Sequence, residues 1–493
     1  MQEHQYRPAF HTTEHADSKR YSEGMAGFYV ENFGCRAARA DGEAVSARLR
    51  SDGMSEGALA DADLVIVNTC SVTAEADRDA RAFVRKTRRV NVDAKIVVTG
   101  CYAQRAPEEI AALEGVAAVV GNSHKGLIPE IVHGLLDSTR VSTASLPTIP
   151  VLSLLEPRTS AKVWADDQFA HSFIEDAQVL PGAQTRPNLK IQEGCGNRCT
   201  FCVIPTTRGA SRSLPASRVL SQVSGFVVNG GRELVISGIN LGRWGRDLDG
   251  SPSFAVLLRQ ILKETDIPRL RLSSVEPMDW TPELIALMRE FGGSRIARHA
   301  HLPLQSGSDA VLRRMHRRYR PWHYVEKITA LVEAVGTDLA VGADVMVGFP
   351  GESDAEFIET YDLIAGLPFA YLHLFPFSPR PGTRGWELHR QNPVSPDVVQ
   401  ERMTALRTLA AEKSHRFRSS FLGLTLPSIT LHTPNALVLQ GRTSALTDNY
   451  IPVEIEGVLP ANQLVDVDLT DLNQAGVLLG QRKLHRDSVA VAS

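Results

Sequence analysis

Cysteine is scarce in this chain, with six in 493 residues. Long apolar runs are absent. Met1 to Gly24 is polar and rich in His and Glu, so neither a signal peptide nor a membrane anchor is expected there. No later stretch is long and apolar enough to span a bilayer. The expected setting is therefore cytoplasmic and reducing, where sparse cysteines serve as metal ligands rather than disulfides. An excess of one charge is also missing. The chain has 53 Lys and Arg against 56 Asp and Glu, a net charge of −3. Any grip on nucleic acid must then come from local patches. The remainder, 43% apolar and 22% charged, is ordinary for a globular protein with a sizeable core. The length allows roughly two to four domains.

Half of the cysteines fall in one octapeptide, Cys195-Gly196-Asn197-Arg198-Cys199-Thr200-Phe201-Cys202, at C-x3-C-x2-C spacing. Three thiolates hold three irons of a cubane [4Fe–4S] cluster that ordinarily takes four, leaving one iron open to another ligand. Structural zinc prefers four ligands, often in two local pairs, and no second local pair exists here. Cys35, Cys70 and Cys101 are far apart, but each follows a short run that reads as a strand: 28–34, 64–69 and 95–100. Helical stretches at 42–49 and 75–89 separate the runs. The βαβαβ pattern predicts a parallel sheet. Such sheets gather ligands at the carboxyl ends of their strands. A lone free cysteine is ordinarily a small buried hydrophobe. Three at strand ends predict a second three-cysteine cluster, also with one open iron.

From Asn188 onward six apolar runs alternate with helical patterns. The predicted strands are 189–193, 233–239, 269–275, 299–304, 339–347 and 371–377, with helices such as 216–229 and 354–365 between them. This is an incomplete TIM-like (β/α)6 barrel, and the C-x3-C-x2-C loop leaves its first strand at the end where barrel active sites lie. His299 and His301 share a face, as substrate-lining or core residues more readily than as a metal pair. Residues 404–418 read as a basic helix. Predicted strands at 426–431, 436–441, 450–455 and 464–469 fit a small antiparallel β-barrel. Arg81, Arg85, Lys86, Arg88 and Arg89 form one cationic run. Arg313, Arg314, Arg317, Arg318 and Arg320 form another. Each reads either as a solvated face or as a phosphate contact.

The chain resembles the methylthiotransferases, a radical S-adenosylmethionine (SAM) family. The residues that carry the resemblance are the cysteine octapeptide, Asn68-Thr69-Cys70-Ser71-Val72-Thr73, Thr99-Gly100-Cys101-Tyr102-Ala103-Gln104, Ser237-Gly238-Ile239-Asn240-Leu241-Gly242, Leu302-Pro303-Leu304-Gln305-Ser306-Gly307-Ser308 and Thr447-Asp448-Asn449-Tyr450. It implies an N-terminal α/β domain at 25–138, a linker or insertion at 139–187, a radical SAM barrel at 188–420 and a TRAM-like β-barrel at 421–485. It implies SAM and two [4Fe–4S] clusters, one on Cys195, Cys199 and Cys202 that binds SAM, the other on Cys35, Cys70 and Cys101. Phe201, Glu233 and Gly238 are carried over as SAM contacts. Gly230-Gly231-Arg232-Glu233 matches the family's glycine-glycine-glutamate segment imperfectly, and the Asn expected after Cys35 is absent. The implied partner is the tRNA anticodon stem-loop, with no membrane. The implied reaction puts a 2-methylthio group on C2 of N6-threonylcarbamoyladenosine at position 37. Alternatives are methylthiolation of isopentenyladenosine tRNA or of a ribosomal-protein aspartate. From another class comes a non-catalytic Fe–S RNA-binding protein.

Overall fold

The computed structural model describes residues 26–483 apart from 72, 141–160, 174–178 and 182–184. The N-terminal stretch, Val72 and much of the 139–187 segment lie outside the described residues.

The first unit is a six-stranded parallel sheet of β1 (Gly27–Asn32), β2 (Ser55–Glu56), β3 (Leu64–Thr69), β4 (Lys95–Gly100), β5 (Val116–Gly121) and β6 (Lys162–Trp164), in the order β2-β1-β3-β4-β5-β6. All six residues of β3 are buried. A continuous apolar run suits a central parallel strand covered on both faces. Leu64 and Ile66 turn toward helix α1 (Arg36–Ser51) and the helix Ile128–Arg140. Val65 and Val67 turn toward helix α2 (Ala74–Val90) and Tyr102 on helix α3 (Cys101–Arg105). The sixth strand corrects the expected boundary: residues 162–164, assigned to the linker, pair with β5 and belong to this sheet.

The barrel strands are β7 (Asn188–Glu193), β8 (Arg212–Ser213), β9 (Glu233–Gly238), β10 (Arg269–Leu272), β11 (His299–His301), β12 (Ala340–Val347) and β13 (Phe369–Pro376). All are parallel except β8, which caps the edge of β7. Bridges such as Ser274 to His301 join the two halves. Among the described residues no ladder joins β7 to β13, so the barrel stays open on that side. Helix α1 of the first unit packs against β7. There Glu43 accepts a hydrogen bond from the backbone N–H of Asn188 at 3.1 Å.

A 24-residue helix, Pro396–Ser419, packs on β13 and leads to the last unit. This is a closed barrel of β14 (Thr425–Thr430), β15 (Arg442–Thr447), β16 (Pro452–Glu456), β17 (Leu464–Leu472) and β18 (Leu478–Arg482). The strand expected at 436–441 is instead the short helix Asn435–Val438, and the chain re-enters the sheet at Arg442. Its start follows Pro434, whose fixed φ suits a first helical turn. The β15–β16 turn docks on the open parallel barrel. Arg271 donates to the carbonyls of Asp448 at 2.9 Å and Thr447 at 3.1 Å, and Arg298 pairs with the Asp448 carboxylate at 2.7 Å.

Candidate active site

Every cysteine sits at the carboxyl end of a parallel strand. Cys35 caps the N-terminus of α1, Cys70 follows β3, and Cys101 opens α3. No disulfide joins any of the six, all of which lie among the described residues. Gly34 brings the first two loops together. A Cβ built there would lie 2.2 Å from Cys70 Cβ, and φ is +100°, a region open to glycine. Cys35 and Cys101 are close enough to interact electrostatically. Cys35 is solvent-exposed, yet burial raises its thiol pKa. The two observations agree if its surface faces an internal cavity rather than bulk water.

Cys195, Cys199 and Cys202 line a cavity of about 500 Å³ together with Thr383, Arg384 and Arg105, the last residue of α3. The loops that carry the two cysteine sets are therefore neighbours. Arg208, six residues past Cys202, joins them directly. Its Nε donates to Cys101 Sγ at 3.3 Å. Asn122 ties the same two loops, donating to Cys101 Sγ at 3.4 Å and to the Thr207 carbonyl at 2.9 Å.

Behind Arg208 lies a buried ion cluster. Its Nη1 donates to Asp41 at 3.0 Å and Glu193 at 2.7 Å. Lys125 reaches both carboxylates at 2.8 and 3.0 Å, and Lys190 pairs with both as well. Three cations thus face two anions. Cys101 Sγ, which accepts from Arg208, sits at the edge of this cationic excess, a setting that suits the thiolate character a metal ligand needs. Burial works against the Arg208 charge, but Cys101, Glu193 and Asp41 outweigh it and hold the guanidinium protonated.

The barrel thiols have matching donors. Arg317 donates to Cys199 Sγ at 3.3 Å and pairs with Glu276 at 2.5 Å. The Asn240 amide donates to Cys195 Sγ at 3.5 Å, and the backbone N–H groups of Asn197 and Ile204 donate to Cys195 and Cys202. Burial raises the Cys199 thiol and pushes Cys202 up to about 12. Bound iron reverses this, since a coordinating thiol is deprotonated outright. Two sets of three sulfurs, each ringed by N–H donors, fit two three-cysteine [4Fe–4S] sites.

The other predicted contacts divide. Gly238 closes β9 two residues before Asn240, and Phe201 lies half-buried against the barrel core. Glu233 is a correction. It opens β9, below the start of β7 in the parallel register, whereas the cysteine loop leaves the far end of β7. Five residues of strand separate it from Gly238, about 17 Å. Arg271 at 2.7 Å, Arg269 at 3.4 Å and Arg186 at 3.6 Å engage its carboxylate. Although burial opposes it, these arginines hold the pKa down at about 2. Glu233 therefore anchors the barrel floor and does not reach a SAM molecule at the cysteine loop.

The cationic runs also divide. Arg85, Lys86 and Arg89 are exposed on α2. In the second run Arg317 turns inward to Cys199, Arg314 pairs with Glu356 and Arg313 with Asp309. His299 bonds Tyr371 at 2.7 Å, and His301 bonds Ser274 at 3.0 Å, both lining the barrel lumen. Sequence reasoning passed over Arg208, Asn122 and Asp41, for which no local spacing gave a signal. Asn240 lay within a quoted motif without a role.

Residues 27–121 match the family described as Uncharacterized protein family UPF0004, and residues 189–364 match the Radical SAM superfamily. The Threonylcarbamoyladenosine tRNA methylthiotransferase MtaB of Aquifex aeolicus is 34% identical over 439 residues, covering 89% of this chain and 98% of its own length. That of Bacillus subtilis is also 34% identical, over 88% and 91%. A tRNA-2-methylthio-N(6)-dimethylallyladenosine synthase of Geobacter metallireducens is 30% identical over 90% and 95%. Enzymes of this kind use SAM, a SAM-binding [4Fe–4S] cluster and a second cluster. Paired cysteine loops on a parallel sheet and an open barrel, with matches running almost the whole length, lead to one conclusion: the chain belongs to the radical SAM tRNA methylthiotransferases.

Proposed function

We propose that the protein installs a 2-methylthio group on C2 of N6-threonylcarbamoyladenosine at position 37, within the anticodon stem-loop of tRNA. Cys195, Cys199 and Cys202 hold the SAM-binding cluster, and Cys35, Cys70 and Cys101 hold the second. The observation that carries this reading is Arg208, which bonds Cys101 while its own loop continues from Cys202. Two open cluster sites on adjoining loops, one set lining a cavity that Arg105 of the other unit also lines, suit a reaction that removes hydrogen from an inert C–H bond and puts sulfur in its place. With SAM bound, the clusters supply that radical and sulfur chemistry.

The chain's own residues bind, orient and tune. A cavity of about 500 Å³ is within the range that takes a cofactor-sized molecule. Phe201 within the cysteine loop and Gly238 at the end of β9 serve as SAM contacts. N–H donors from Arg208, Asn122, Arg317 and Asn240 steady charge on the sulfurs. Exposed Arg85, Lys86 and Arg89 offer a phosphate grip for tRNA. Relatives named for threonylcarbamoyladenosine support the substrate, and a relative named for dimethylallyladenosine keeps the isopentenyl alternative in the test. Mass spectrometry of tRNA nucleosides from a deletion strain should show loss of the methylthio form of threonylcarbamoyladenosine, restored by the gene. Loss of the methylthio isopentenyl nucleoside instead would overturn the substrate.

A further inference from the structure

All three units meet in the lumen of the open barrel, at a point the reaction described so far does not use. Arg36, the residue after Cys35, reaches in from the first unit and donates through Nη2 to the phenol oxygen of Tyr450 at 2.9 Å. Tyr450 comes from the C-terminal barrel. Its φ is +67°, and the turn is held by Thr447, which bonds Asn449 and the backbone of Ile451. A non-glycine residue in the left-handed region is a strained conformation of the kind kept at ligand sites. Around the Tyr450 ring stand His299 at 4.6 Å and Tyr371 at 5.2 Å between centroids, with the Arg271 guanidinium 5.5 Å from the ring. The lumen is thus walled by rings and cations rather than by aliphatic side chains.

The charge there does not balance. Arg186, Arg269 and Arg271 share the single carboxylate of Glu233. Arg36 makes no ion pair among the described residues, and the Arg186 Nε is buried without a hydrogen-bond partner among them. Asp344, the next carboxylate, favours the Arg36 charge from a distance, but its oxygen is engaged by His301 at 3.4 Å and His373 at 3.2 Å. The field is visible in Tyr450 itself: burial should raise its pKa, yet Arg36, Arg186 and Arg271 bring it below the ordinary phenol value. A guanidinium held in this way with no carboxylate in direct contact suits a carboxylate ligand, since its planar fork matches two carboxylate oxygens.

We infer that Arg36, backed by Tyr450, receives a carboxylate carried on the N6 substituent of the target adenine. The inference rests on the threonylcarbamoyl reading and names the residue that would select it. C6, which carries N6, and C2 flank N1 on one edge of the purine. A group on N6 held by Arg36 therefore lies beside Cys35 and the carbon to be thiolated. An isopentenyl group in the same lumen would bury the guanidinium against hydrocarbon, which is costly for an unpaired charge.

The test uses reconstituted holoenzyme with anticodon stem-loops bearing threonylcarbamoyladenosine, its uncharged carboxamide analogue, or isopentenyladenosine. Wild-type protein should lose about 10- to 150-fold in kcat/KM from carboxylate to carboxamide, the worth of a hydrogen bond to a charged group. Arg36→Met should lose a similar factor on the carboxylate substrate and little more on the carboxamide, so that the two changes are not additive. Arg36→Lys should recover part of the loss. Iron content and 5′-deoxyadenosine formation from SAM should stay at wild-type levels in both variants. Equal turnover of carboxylate and carboxamide by wild-type protein overturns the inference, and this arm needs no variant to fold. Turnover of the carboxylate substrate by Arg36→Met at the wild-type rate overturns it too. Exclusive turnover of the isopentenyl stem-loop would overturn the substrate reading together with it.

Discussion

Replacing Arg208 by Met should separate the two halves of the reaction. The guanidinium is fully buried, with Nη1 on Asp41 and Glu193 and Nε on Cys101 Sγ. Methionine fills part of the space and supplies no donor. Breaking one member out of a buried ion group costs about 3–5 kcal/mol when the remaining charge is left alone. Here Lys125 and Lys190 still neutralise the two carboxylates, so the lower end applies, about 3 kcal/mol. The larger consequence is positional. The Cys101 loop and the loop running on from Cys202 lose a shared anchor, and a misplacement of about 1 Å between reacting groups can cost on the order of 10²-fold. Denaturant unfolding, iron content and a dual product assay measure these effects. The variant should unfold earlier, keep cleaving SAM to 5′-deoxyadenosine, and form methylthiolated tRNA about 10²-fold more slowly. Product formation within about threefold of wild type, with an unchanged unfolding midpoint, would refute the role given to Arg208.

Cys70→Ala should bring iron from about eight to about four per chain and abolish methylthiolation while SAM cleavage continues. Full methylthiolation by this variant would sink the two-cluster account. Gly34→Ala forces a Cβ within 2.2 Å of Cys70 Cβ at a φ of +100°, so the same cluster should be lost or destabilised. Iron and sulfide analysis of the purified variant reads this directly. Burial pushes the Glu43 carboxyl up to about 7 at the contact with β7. Between the unfolded value near 4.5 and the folded one the folded state binds the extra proton, so stability falls as pH rises through that window. The loss amounts to at most about 3 kcal/mol. Glu43→Gln should flatten this slope in unfolding midpoints between pH 4.5 and about 7, the window set by the unfolded and folded values of that carboxyl. An identical slope in both proteins would show that Glu43 is not its source.

Much of the architecture was legible because local patterns carry it. Val65-Ile66-Val67 and Ile96-Val97-Val98 are β-branched runs that parallel strands bury on both faces, and the structure keeps their bounds. The six barrel strands appear where alternation of apolar runs and helices predicts them. The misses arise where non-local packing decides. Lys162–Trp164 is too short to read as a strand alone and is one only because the edge of β5 is there to pair with it. Ala436–Gly441 has strand-like composition, but Pro434 and the geometry of barrel closure make its start a helical turn. Glu233 fitted a motif in sequence, yet the parallel register sets it at the wrong end of its strand.

The donor chemistry is written locally in the chain: six thiols, three of them at a spacing that suits an incompletely ligated cubane, and three at predicted strand ends. Spacing is a local property, so a single chain segment can state it. Folding in three dimensions was needed to bring the loops of the two sets together, to join Arg208 and Asp41 from different units behind them, and to let Arg36 and Tyr450, 414 positions apart, share a hydrogen bond. Buried charge must find partners wherever folding brings them, and those partners are scattered along the chain with no period or motif to announce them.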